Sequence, residues 1–252
     1  MNIQQKKLVV FDFDGTLNES KVPVDEEMLG LLMKLLKRKM VAVISGSGFE
    51  FIQRNLPPNS FPPEISKNLL IFSTTGTCLH HFTDHWEQVY RDEMTLEERA
   101  KIMDAFKKVY QDIHYQDPPQ VFGEVVEDRG TQVTFSALGQ EAPIDLKKKW
   151  RETQDRRPEI VEALKKYLPD FEIKMPGVTS IDVTRKGIDK GYGIHQMESH
   201  LKIPLSEMVF VGDALEEGGN DHAVVTTGVD SIPVTGPSDT KKLIQKWVHE
   251  IG

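Results

Sequence analysis

KLVVFDFDGTL, residues 7–17, is the stretch that decides the fold. Lys7 to Phe13 is short, rich in β-branched residues and almost continuously apolar, as expected of a strand covered on both faces. It ends in two carboxylates one residue apart, Asp12 and Asp14, and Gly15 then lets the chain turn sharply. In open parallel sheets ligands bind outside the carboxyl ends of the strands, which is where this pair would stand. One such carboxylate can act as a nucleophile that also binds a cation, and the other as general acid and then base. The competing reading is a polar turn in which Asp14-Gly15 merely ends a strand. The other strand ends of the chain decide between the two.

Working outward, Val24 to Lys39 carries Met28, Leu31, Leu32, Leu35 and Leu36 at helical spacing. VAVIS (41–45) is a second buried strand, Phe49 to Asn55 a helix, PPNSFPP (57–63) a loop, and Leu69 to Ser73 a third strand. Strand alternating with helix predicts a doubly wound parallel sheet. The pattern returns near the end of the chain. Lys190 to Leu201 reads as a helix, MVFVG (208–212) as a strand, Gly219 to Val225 as a helix, SIPVT (231–235) as a strand and Thr240 to Ile251 as a helix. The middle differs. A helix over Leu96 to Tyr110 precedes EVVEDRGTQVTFSAL (124–138), which alternates polar and apolar residues about an RGT turn and reads as an antiparallel hairpin. A helix over Arg157 to Tyr167 and the strands FEIKM (171–175) and SIDVT (180–184) follow. The fold class is therefore α/β: a Rossmann-like core, 1–82 and 187–252, interrupted by an α+β insertion, 83–186.

The second half of the core repeats the chemistry of the first. FVGD (210–213) is another strand ending in an acid, followed by Glu216, Glu217, Gly218, Gly219, Asn220 and Asp221. A hard cation such as Mg²⁺ needs carboxylates brought together from separate strand ends. Ser45-Gly46-Ser47 ends a third strand with a hydroxyl and backbone donors suited to phosphate oxygens, and Lys190 opens a helix with a cation for the same group.

DFDGTL, Ser45, Lys190 and GDALEEGGND, in this order and spacing, resemble the four motifs of the haloacid dehalogenase (HAD) superfamily of phosphotransferases. The insertion resembles the C2-type cap of subclass IIB. EDRGTQVTFSALGQEAP, GVTSIDVTRKGIDKGYGIHQM and FVGDALEEGGNDHAV are further similar to stretches of eukaryotic-type phosphomannomutases. The resemblance implies an aspartyl-phosphate formed on Asp12, with Asp14 as acid and base. It implies Mg²⁺ held by Asp12, Asp213 and the backbone carbonyl of Asp14, and a transferring phosphoryl group held by Ser45, Gly46 and Lys190. In the cap it implies that Arg129, Ser180 and Asp182 face the substrate, with Gln140 beside them. Whether Asn220, Asp221 or His222 touches the metal stays open.

Two positions depart from the mutases. Lys21 stands where they carry an arginine soon after the first motif, and Gln140 where they carry one after a turn of the cap. A guanidinium fork grips a phosphate in two places and a neutral amide does not. A mutase must hold a bisphosphate by its distal phosphate while the sugar reorients. Gln140 therefore favours simple hydrolysis of a small phosphorylated metabolite, expected to be a sugar phosphate. Interconversion of mannose 1-phosphate and mannose 6-phosphate is the alternative, and a non-catalytic phosphometabolite sensor a remoter one. C2-capped mutases can pair through their caps, which leaves a homodimer open.

The net charge of -8 argues against a nucleic-acid partner, which is bound through basic patches. MNIQQKK followed by LVVFDFD is too short and too soon charged for a signal peptide or a membrane span. One cysteine, Cys78, allows no intramolecular disulfide. The expectation is a cytoplasmic enzyme with no membrane partner. His80, His81 and His85 in HHFTDH lack ligand spacing and read as surface histidines at the core–cap junction. KKKW (147–150) reads as a solvated face, and Arg129-Gly130-Thr131 is equally readable as a bare hairpin turn.

Overall fold

The computed structural model describes residues 2–19, 22–57 and 60–251, so Lys21 lies outside the described residues. Along the chain come β1 (Leu8–Asp12), α1 (Glu26–Leu36), β2 (Met40–Ile44), α2 (Phe49–Asn55), α3 (Pro63–Ser66), β3 (Leu69–Ser73), β4 (Cys78–Phe82) and β5 (Trp86–Arg91). Then follow α4 (Leu96–Asp112), β6 (Val126–Asp128), β7 (Val133–Ser136), α5 (Ile144–Gln154), α6 (Arg157–Tyr167), β8 (Phe171–Lys174) and β9 (Ser180–Arg185). The last elements are α7 (Lys190–Leu201), β10 (Met208–Gly212), α8 (His222–Val225), β11 (Asp230–Pro233) and α9 (Pro237–Ile251). The chain divides into two compact units, residues 1–91 with 189–252, and residues 92–188.

The first unit is built on a seven-stranded sheet in the order β11-β10-β1-β2-β3-β4-β5. The five strands from β11 to β3 run parallel, and β4 and β5 continue antiparallel. Successive side chains of a strand point to opposite faces, and both faces are covered here. Val9, Phe11, Val41, Val43, Ile71, Val209 and Val211 pack with Met28, Leu32 and Leu35 of α1 and with Ile244 and Trp247 of α9. Leu8, Val10, Ala42, Ile44, Leu70, Phe72 and Phe210 pack with Ile194 and Met197 of α7 and Val224 of α8. Two-sided burial is why these strands read as unbroken apolar runs.

The second unit is a four-stranded antiparallel sheet, β6-β7-β9-β8. Val133, Phe135, Ile181 and Val183 pack against Ile102, Phe106 and Val109 of α4 and Ile160 and Leu164 of α6. Helix α4 starts in a reciprocal cap. The Thr95 hydroxyl accepts from the Glu98 N–H, and the Glu98 carboxylate accepts from the Thr95 N–H.

Four expectations change. The core unit reaches Arg91 rather than residue 82, because the β4–β5 hairpin extends the core sheet, and the second unit runs to Ile188 rather than residue 186. HHFTDH is that hairpin's first strand and turn. His85 is exposed, but the His80 ring stacks on Phe49 at 3.7 Å, and His81 Nε2 meets the Lys67 carbonyl at 2.8 Å. KKKW belongs to α5 and is solvated only in part: Lys148 and Lys149 are exposed, but Lys147 and Trp150 are buried, and the Lys147 ammonium donates to the Gln140 carbonyl at 2.9 Å. The helix expected over Gly219 to Val225 is a single turn, His222–Val225, because the glycines before it form a loop. Among the described residues no helix is long and apolar enough to cross a membrane.

Candidate active site

The parallel strands of the first unit carry the predicted groups at their carboxyl ends. Asp12 is the last residue of β1 and pairs with Ile44, so Ser45 stands one step beyond on the neighbouring strand. Asp213 follows β10, which pairs with β1 on its other side. Lys190 is the first residue of α7. Asp12, Ser45 and Lys190 are all buried, while Asp213 is exposed.

Glycines let these termini converge. Gly15 has φ +88, and a side chain there would overlap the Asp213 carboxylate. The turn is closed by the Gly15 N–H donating to the Asn18 carbonyl at 2.9 Å, and Asp14 bridges to Asn18 across it. The Thr16 hydroxyl reaches the Asp213 carboxylate at 3.4 Å. Gly212 makes the matching accommodation on β10, where any Cβ would overlap the carboxylate of Asp221.

Asp221 is the residue that sequence reasoning left unassigned. It is fully buried, accepts from the Ala214 N–H at 3.2 Å and pairs with the Lys190 ammonium. Lys190 also pairs with Asp12 at 2.5 Å. One ammonium thus lies between two buried carboxylates, the arrangement that burial of such charges requires. Its signal in the sequence is faint: one acid in the Gly-rich loop after FVGD. Of its neighbours, Asn220 is exposed, and His222 Nδ1 meets the Leu215 carbonyl at 3.2 Å. Burial pushes the Asp12 carboxyl above its ordinary range; the Lys190 ammonium pulls against this, and Asp221 adds to the push. For Lys190 burial acts downward, but Asp12 and Asp221 outweigh it and hold the ammonium above its ordinary value.

Oxygens of Asp12, Asp213 and Asp221 all lie within 4.8 Å of one another. The donor set is oxygen only, which suits a hard divalent cation. With Lys190 counted, the cluster leaves two negative charges uncompensated, which fits the same ion. Beside it, Ser45 Oγ accepts from the Ser47 N–H at 3.1 Å, an arrangement that leaves the hydroxyl hydrogen free to point elsewhere. Gly46 lies between these two serines.

The remaining expected residues lie in the second unit. Asp182 and Ser180 share the face of β9 opposite Ile181 and Val183, and Asp182 accepts from the Thr134 hydroxyl at 2.8 Å. Arg129 follows β6 and pairs with Glu127 at 2.7 Å rather than hanging from a bare turn. Gln140 follows the tight turn after β7; its Nε2 is buried and has no hydrogen-bond partner among the described residues.

A doubly wound core with acids at its strand ends and a lysine at a helix start beside them, split by an α+β insertion, defines a HAD-type phosphoryl-transfer enzyme. Solved structures share this fold. The IMP-nucleotidase of Plasmodium falciparum, N-terminally truncated, superimposes with a TM-score of 0.68 at 16% identity over 98% of this chain and 72% of that one. Trehalose-6-phosphate phosphatase of Aspergillus fumigatus does so with a TM-score of 0.57 at 17% identity, covering 98% of this chain and 96% of that one. The family model for eukaryotic phosphomannomutase matches residues 28–250, and the chain belongs to that family. It is 29% identical to the phosphomannomutase of Saccharomyces cerevisiae over 94% of this chain and 92% of the relative. It is 26% identical to that of Encephalitozoon cuniculi, covering 98% and 96%.

Proposed function

We propose that this protein is a Mg²⁺-dependent phosphomannomutase-type enzyme that moves a phosphoryl group between the 1 and 6 positions of a hexose phosphate, mannose phosphate first. The observation that carries this reading is the family match across residues 28–250, which takes in the whole insertion and the core elements from α1 onward. The insertion is where a sugar would be selected, so likeness there bears on the substrate and not only on the chemistry.

The buried group chemistry supports the phosphoryl-enzyme step. Asp12 attacks phosphorus in line while Asp14 protonates the departing sugar oxygen. Lys190 and the Ser45 hydroxyl stabilise charge on the equatorial oxygens, where most of the catalysis of such a transfer arises. Asp12, Asp213 and the Asp14 carbonyl would hold Mg²⁺, with Asp221 within reach, and the ion when bound would supply further charge neutralisation there. Once phosphorylated by a bisphosphate activator, Asp12 gives its phosphoryl group to the free hydroxyl of a bound hexose monophosphate, with Asp14 taking that hydroxyl's proton; the bisphosphate so formed reorients and returns its other phosphoryl group to Asp12. Arg129, Ser180 and Asp182, all in the second unit, are the candidate ligands of the sugar phosphate.

One observation favours a second reading, hydrolysis of a sugar phosphate. Gln140 presents a neutral amide where the mutases carry an arginine, which weakens the grip on a distal phosphate. Phosphorus NMR separates the two. Incubation with mannose 1-phosphate, Mg²⁺ and a hexose bisphosphate activator is expected to give mannose 6-phosphate without net inorganic phosphate. Stoichiometric phosphate release would overturn the mutase reading in favour of hydrolysis. Asp12→Asn is expected to abolish either outcome, a loss of about 10³-fold or more, and full activity in that variant would end the nucleophile assignment.

A further inference from the structure

Two adjacent threonines, Thr74 and Thr75, stand at φ 46 and 61 just past the end of β3. Side chains branched at Cβ avoid this left-handed region because Cβ crowds the backbone there. Such conformations persist only where the surroundings over-determine them, and they concentrate at functional sites.

The surroundings here are specific. The Thr75 N–H donates to the Ser45 carbonyl at 2.8 Å, and the Thr74 N–H donates to the Ser47 carbonyl at 2.9 Å. The two amides therefore hold both ends of Ser45-Gly46-Ser47. The turn closes on itself through the Thr77 hydroxyl, which donates to the Thr74 carbonyl at 2.7 Å and lies 2.6 Å from the Thr74 hydroxyl. On its far side Gly76 rests against α7, where a Cβ added to Gly76 would come within 2.5 Å of the Gly193 Cα. That helix begins at Lys190, whose ammonium meets Asp12. One strained turn thus touches both the Ser45 loop and the helix that carries Lys190.

We propose that the turn Thr74–Gly76 is a positioning element for phosphoryl transfer, with Thr75 as its positioning residue: it fixes the Ser45 hydroxyl and the Lys190 ammonium in register with Asp12. This rests on the reading of Ser45 as a ligand of the transferring group. A β-branched residue held in the left-handed well has little room to move, so the carbonyls it grips have little room either. Glycine at the same place would keep the hydrogen bond to Ser45 and lose the restriction, because it occupies many backbone conformations. A site organised before its ligand arrives binds more tightly than one that must be ordered on binding.

The test compares Thr75→Gly, Thr75→Asn and Ser45→Ala in the full chain. Calorimetric titration with orthovanadate in the presence of Mg²⁺ reports on the phosphoryl site, and thermal unfolding reports on the fold. Thr75→Gly is expected to weaken orthovanadate binding about tenfold without lowering Tm. Thr75→Asn, which tolerates the left-handed region and is less free than glycine, is expected to retain most of the affinity. Wild-type affinity in Thr75→Gly together with weakened binding in Ser45→Ala would overturn the proposal. So would a loss of affinity matched by a fall in Tm, which a merely structural role produces. Wild-type affinity in Ser45→Ala would sink the reading of Ser45 itself, and the proposal with it.

Discussion

At the scale of single residues, the buried side chains divide into those with charged partners and those without. Lys190 and Asp221 answer one another, so their burial is sustained. His80 has no such answer. It is half-buried against Phe49, and its Nδ1 has no hydrogen-bond partner among the described residues. Burial brings it down from 6.5 to about 4, with Arg91 adding to the fall and Glu50 opposing it. In the fold the ring is therefore neutral at pH values where the unfolded chain would protonate it. The unfolded state binds the extra proton between pH 6.5 and about 4, so the stability His80 allows is fully present above 6.5 and is lost as pH falls through that window. Urea midpoints measured from pH 7 to pH 4 should fall more steeply for the wild type than for His80→Phe, which keeps the stack and cannot titrate. Parallel curves would show that His80 titrates in the fold as it does in the unfolded chain.

At the scale of elements, packing decides what each glycine is for, and two of them give opposite expectations. Gly30 lies within α1 with nothing within 4 Å of where its Cβ would go, so Gly30→Ala should stabilise by about 0.5–1 kcal/mol through helix propensity alone. Gly76 has φ +85 and abuts α7, so Gly76→Ala should destabilise by about 1–3 kcal/mol and push the Lys190 helix out of place. Thermal melts of both variants, with activity measured alongside, check the pair; a neutral Gly76→Ala would mean that the contact is loose. Packing also decides which elements show in the sequence. Strands β1, β2, β3 and β10 were legible because burial on two faces leaves an unbroken apolar run, and Asp12, Ser45 and Asp213 were legible as their termini. The β4–β5 hairpin was not, since most of β5 is exposed and its composition is mixed. Helix α5 was hidden because its main buried contributions are Trp150 and the stem of a lysine. Asp221 belongs to no strand, and the backbone of Thr74 and Thr75 leaves no mark in residue type at all, because their conformation is imposed by Ser45, Ser47 and α7.

At the scale of the whole molecule, each unit has its own apolar core. That of residues 92–188 draws on α4, α5, α6 and three strands of its own sheet, with Phe106, Phe135 and Leu164 among its fully or nearly fully buried members. A contiguous segment of this size with a closed core falls within the range of independently folding domains. Expressed alone, residues 92–188 should be monodisperse or self-associated but folded, with a single cooperative urea transition by circular dichroism; a non-cooperative slope would show that the unit depends on the rest of the chain. The core has no such contiguity. Its central strand β1 lies between β2 and β10, with Leu8 in register with both Met40 and Met208. During synthesis the segment ending at Ile188 leaves the ribosome whole, whereas β1 must wait for β10 to be translated. Until then the β10-facing edge of the β1–β3 sheet stays open on the nascent chain. Asp12, the proposed nucleophile, thus waits for partners translated 178 residues or more after it, because Lys190, Asp213 and Asp221 all follow Ile188 in the chain.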